Sequence, residues 1–85
     1  MTPAHVTPSD AILAVLAVLA ERATGATICP SEAARHLAGP EGDWRAHMDA
    51  VHAATDALLE SGAITLSWKG LPKQKRRGPY RIARR

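Results

Sequence analysis

The apolar residues of this chain change their spacing at Gly62, and that change limits the fold more than any other feature. Before Gly62 they recur with the 3.6-residue period of helices. After it, Ile64, Leu66 and Trp68 alternate with Thr65, Ser67 and Lys69, and Tyr80 and Ile82 alternate with Arg81. A period of two marks a half-buried strand. A helical body followed by a short antiparallel hairpin is therefore expected. Gly62 suits the left-handed cap between them.

Three helices are expected before the switch, over 8–22, 30–38 and 44–61. In Thr7-Pro8-Ser9-Asp10, Thr7 can cap and Pro8 fits the first helical position, with Asp10 three residues after the cap. In the first helix, Ile12, Val15, Leu16 and Leu19 make one stripe and Leu13, Ala17 and Ala20 a second, adjacent one. Ala14 and Val18 fall away from both. A helix apolar nearly all round is usually buried on several sides. Gly25 ends it. Pro30 starts the second helix, and Glu32 places negative charge at its N-terminus, where the dipole favours it. Gly39-Pro40-Glu41-Gly42 breaks it, and Asp43 is the natural cap of the third. There Trp44, Met48, Val51, Thr55, Leu58 and Leu59 recur at helical spacing, with Arg45, His47, Asp49, His52, Asp56 and Glu60 mostly opposite.

Strands are expected over 63–69 and 79–84, joined by a cationic loop from Gly70 to Pro79. Trp44, Met48, Val51, Leu58, Leu16 and Ile64 should be largely buried. Trp68 and Tyr80 lie in phase with apolar neighbours and read as core too. Residues 1–7 and 84–85 should fray.

Three helices followed by a two-stranded wing is the order of the winged helix-turn-helix. The 85 residues suffice for one such domain with a small core. The linker 39–43 is longer than the usual turn of about three or four residues, which leaves the angle of the third helix open. The segments Thr27-Ile28-Cys29-Pro30-Ser31-Glu32, Trp44-Arg45, Gly62-Ala63-Ile64, Trp68-Lys69-Gly70 and Arg77-Gly78-Pro79-Tyr80-Arg81-Ile82 run through most of the chain from Ile12 to Arg84. Together they resemble a set of small, stand-alone bacterial winged-helix proteins known only as a domain of unknown function. The resemblance implies the fold. It brings no activity, ligand or catalytic residue.

Charge divides at the same point as period. Residues 1–62 hold 8 Asp/Glu and 3 Lys/Arg, while residues 63–85 hold 8 Lys/Arg and no acid. A dense cationic end reads as a site for a polyanion. Lys69, Lys73, Lys75, Arg76, Arg77 and Arg81 are the candidate phosphate contacts, Arg being suited to bidentate grip. Arg45 and His47 lie in the first turn of the third helix, where base edges would be met. That helix also carries Asp49, Asp56 and Glu60, which a phosphate-lined groove repels. The expected function is a small nucleic-acid-binding module. It would take duplex DNA in preference to RNA, through a basic wing with weak sequence readout. The rival is a protein-interaction module, homodimeric through Leu13, Ala17 and Ala20 of the first helix.

Other classes find little support. Cys29 is the only cysteine, so no internal disulfide forms, and a reducing compartment fits. His36 follows it by seven residues, about 10 Å along a helix, too far for a Cys–His pair. His5, His36, His47 and His52 show no metal-ligand spacing. No glycine-rich phosphate loop occurs. Neither catalysis nor a cofactor nor a metal is expected. The apolar run 11–20 spans about 15 Å as a helix, half a bilayer core, so no membrane association is expected. No Lys or Arg precedes Arg22, as a charged leader would require, and a cytoplasmic location is the default.

Overall fold

The computed structural model describes residues 6–85. Helix α1 spans Pro8–Ala20, α2 Pro30–Ala38 and α3 Met48–Ser61. A 3-10 turn over Trp44–His47 leads into α3. Three strands follow: β1 Ile64–Trp68, β2 Leu71–Lys73 and β3 Arg81–Arg84. Fraying was expected for residues 1–7 and 84–85. It does not describe Thr7, which caps α1, or Arg84, which ends β3; residues 1–5 lie outside the described part.

The caps act as the residue types require. Asp10 N–H donates to Thr7 Oγ1 at 3.1 Å and Thr7 N–H to Asp10 Oδ2 at 3.0 Å, a reciprocal capping box. At α2, Cys29 N–H donates to Glu32 Oε2 at 2.7 Å. Gly62, at φ 83°, closes α3 in the left-handed conformation. Two helix bounds differ from expectation, for one reason. The N–H groups of Glu21 and Arg22 bond to carbonyls three residues back, so the last turn of α1 tightens and the helix stops at Ala20 rather than 22. Likewise Ala46 N–H donates to Asp43 O, three back, and Asp43 makes no side-chain cap; the segment 44–47 is 3-10, not α.

The core lies where α1, α2, α3 and the sheet meet. Val15, Leu19, Ile28, Val51, Ile64 and Ile82 are fully buried in it. Of the expected core, Val51, Leu58 and Ile64 are buried, whereas Trp44 and Met48 only pack against its edge. Leu16 is 37% exposed, and Trp68 is 38% exposed. The buried stripe of α1 is Ala11, Ala14, Val15, Val18 and Leu19, so the two residues read as lying outside the stripes are inside. A helix apolar nearly all round carries little preference for one rotation. The small side chains of Ala11 and Ala14 then decide, because they let α2 and α3 approach closely, and Leu13 and Leu16 are turned outward.

The sheet corrects the two-stranded wing. Its order is β2-β1-β3, all antiparallel, and Ile28 forms a further bridge to Ile82 on the outer side of β3. The extra strand β2 lies in the stretch expected to be loop. Lys69 at φ 52° and Gly70 at φ 81° form a two-residue turn with both centres left-handed, and Trp68 pairs with Leu71 across it. Pro72 has no N–H to donate and is tolerated because β2 is an edge strand. Residues 74–80, which include Lys75, Arg76 and Arg77, cross back to start β3.

Candidate nucleic-acid interface

The cationic residues divide into those that hold the fold and those that do not. Lys73 Nζ donates to the carbonyls of Arg77 and of Pro79, the latter at 2.9 Å, and so closes the 74–79 loop from inside. Arg76 lays its fork on Asp56 of α3, Nε to Oδ1 at 2.9 Å and Nη2 to Oδ2 at 3.0 Å. That hydrogen bonding raises the Arg76 pKa further. Arg81 Nε donates to Thr27 Oγ1 at 2.7 Å and Nη2 to Thr27 O at 3.1 Å, tying β3 to the segment before α2. Arg84 reaches the Arg22 carbonyl at 3.3 Å, and Arg22 pairs with Glu32. Burial alone would raise the Glu32 carboxyl. The Cys29 N–H and the Arg22 guanidinium outweigh it and hold the carboxyl below its ordinary range.

Lys69, Lys75 and Arg77 are exposed, and their side chains make no hydrogen bond or ion pair among the described residues. Lys69 lies on the β1–β2 turn; Lys75 and Arg77 lie on the loop after β2, on either side of the docked Arg76, with Lys75 beside Asp56 and Glu60 of α3. The ammonium and guanidinium groups of these three face water and are available to an anionic partner.

Arg45 and His47 are not brought to these cations. They sit in the 3-10 turn at the start of α3, while Asp56, where Arg76 docks, lies about 12 Å along the axis from Met48 at 1.5 Å per residue. Arg45 stacks on the Trp44 ring, its guanidinium carbon 4.4 Å from the centroid, and Arg35 stacks at 4.6 Å. His47 is half-buried. The exposed side of α3 carries Asp49, Asp56 and Glu60.

The root of the loop is anchored through Tyr80, which is buried. Its Oη lies 2.6 Å from His52 Nδ1 on α3 and 3.5 Å from Thr55 Oγ1. Burial pushes the Tyr80 phenol up, and burial followed by the nearby Arg76 cation pushes the His52 imidazolium down. Both shifts favour the neutral forms. Tyr80 O–H donates to Thr55 Oγ1, and the His52 tautomer sets the direction of the short Nδ1–Oη hydrogen bond. Thr55 in turn donates to Val51 O at 2.8 Å. From sequence, Asp56 and His52 belong only to the polar side of the third helix. Their four-residue spacing, which stacks them on one face, was the available signal for a paired docking site.

A family model for a protein of unknown function, DUF3253, matches residues 8–85. The chain belongs to that family. No curated protein matches the chain. The DUF3253 match takes in α1 through β3, the capping residues and the whole cationic segment, so the division between struts and unpaired cations lies inside the family domain. No helix among the described residues is long and apolar enough to cross a membrane.

Proposed function

We propose that this DUF3253 domain is a winged helix-turn-helix module that binds nucleic acid, and that its partner is duplex DNA held by the projection 69–77. The reading is carried by one observation. A segment with eight basic residues and no acid leaves Lys69, Lys75 and Arg77 unpaired and exposed on a single hairpin and loop. Three helices followed by an antiparallel sheet support the fold assignment. The acids on α3 oppose its entry into a groove, so phosphate contact dominates and sequence readout is weak. We assign it no catalysis, cofactor or metal and place it in the cytoplasm.

Mobility-shift titration against duplex DNA and single-stranded RNA at two salt concentrations tests this. Three or four phosphate contacts give a log–log salt slope of about −3 to −4 on duplex DNA. Affinity then falls roughly 60- to 250-fold between 50 and 200 mM salt. Absence of binding at low salt would sink the proposal. The second reading, a homodimer through α1, rests on Leu13, 63% exposed, and Leu16 beside it. Light scattering reporting a strict monomer at high concentration removes it.

A further inference from the structure

The inner face of the sheet continues past the helices that cover it. Along β1, Ile64 and Leu66 are buried, and Trp68 on the same face is 38% exposed. Its cross-strand partner Leu71 is 69% exposed. β2 packs against β1 and has no substantial contact with any helix. An indole and an isobutyl group therefore stand side by side at the end of a tight turn, the indole partly covered and the leucine largely exposed. The fold does not require apolar residues there, since the turn is set by Lys69 and Gly70 and not by its flanks.

The surroundings select the occupant. Lys69 sits at the apex between the two apolar residues, and no acid occurs from Ala63 onward in the strands and turn that carry them. An apolar pair with a cation at its apex matches a partner with stacked apolar rings flanked by fixed anions. A duplex base step is such a partner, and proteins that kink DNA insert apolar side chains there. Two side chains bury too little area to hold a bilayer surface. We infer that the turn Trp68-Lys69-Gly70-Leu71 is a wedge that enters duplex DNA at a base step, with Lys69 on a flanking phosphate. This rests on the duplex-binding reading and adds a second energetic component to it, one that salt does not screen.

The two components separate experimentally. Leu71→Ala leaves every cation in place. It should weaken duplex binding roughly five- to tenfold with an unchanged salt slope, and abolish bending measured by energy transfer between the duplex ends. The intact protein should also prefer a duplex with a central flexible TA step over a G·C-rich one of equal length, and Leu71→Ala should lose that preference. Lys75→Ala with Arg77→Ala should do the opposite, flattening the slope by about 0.9 per contact removed. Duplex binding and bending unchanged in Leu71→Ala overturns the wedge and leaves the nucleic-acid reading standing. No duplex binding by either protein overturns both. An effect of Leu71→Ala seen only with single-stranded RNA, or only with phosphatidylserine vesicles, also overturns it.

Discussion

The root and the tip of the cationic segment have similar composition but are held in opposite ways. At the root, Arg76 is clamped on Asp56, Arg81 on Thr27 and Tyr80 on His52, so residues that look like ligands for a polyanion fasten the sheet to the helices. At the tip, Lys69 is unpaired and Trp68 and Leu71 are exposed, while Lys75 and Arg77 flank the docked Arg76 with their own side chains unpaired. Among the described residues, Arg76 alone of the eight cations is matched by an acid, while Lys73, Arg81 and Arg84 keep their charge but are held in place by carbonyls and a hydroxyl. A count of eight therefore overstates the side chains free to reach a partner.

The sharpest way to break this comparison is to truncate one leucine in each region. Leu58 is buried in α3. Leu58→Ala should cost about 2–5 kcal/mol, a large share of the stability of so small a domain. Leu71→Ala should stay within about 0.5 kcal/mol of the parent, as exposed sites do. Urea denaturation of both settles it, and equal losses would show that the tip is part of the core.

The clamp at the root is tested next. Tyr80→Phe keeps the ring in the core and deletes the hydroxyl. His52 Nδ1 and Thr55 Oγ1 then lose their hydroxyl partner at a partly buried site, and the cost should be about 1–2 kcal/mol. An unchanged thermal midpoint would mean the hydroxyl is as well satisfied by water.

Asp56→Asn asks whether a clamped cation can be released. The Arg76–Asp56 pair is exposed enough that its loss should cost at most about 1 kcal/mol. The freed guanidinium adds one cation to the projection, and the salt slope on duplex DNA should steepen by about 0.9. A slope that stays put, with affinity unchanged, would mean Arg76 faces away from the DNA even when unpaired.

Much of the frame was legible from residue types with a local job. Thr7, Pro8, Pro30 and Gly62 act where the capping rules put them, and the period switch at Gly62 marks the passage from helix to strand. Legibility failed where the deciding contact is between distant segments. The rotation of α1 depends on how closely α2 and α3 can approach Ala11 and Ala14, and a helix apolar all round holds no record of that. The strand β2 has three residues and contains Pro72, too short and too irregular for a period to show. At the candidate site, composition identified the cations. It could not tell Arg76 from Arg77, because the acid that captures one of them lies twenty residues earlier.

The smallest expected effect concerns pH at the root. Burial and the Arg76 cation lower the His52 pKa, while Asp49 and Asp56 act in the other direction without reversing it. The ordinary value is about 6.5 in the unfolded chain. Between that value and the lower folded one, the unfolded chain binds more protons than the folded chain, so stability rises with pH there. The contribution is complete above about pH 6.5 and is lost as pH falls through the folded value. A protonated His52 carries N–H on Nδ1 and donates to Tyr80 Oη, so the contact persists and the pH effect is the linkage difference alone. Thermal midpoints at pH 7.5 and 5.5 should therefore differ more in the parent than in His52→Gln, whose amide can hydrogen-bond the Tyr80 hydroxyl in either sense without titrating. His36 and His47 are common to both proteins and cancel in the comparison. Glu32 stays ionised over this range because its own pKa is lowered, so the acid side of the fold does not intrude. Equal pH dependence in the two proteins would place His52 in a solvent-like setting.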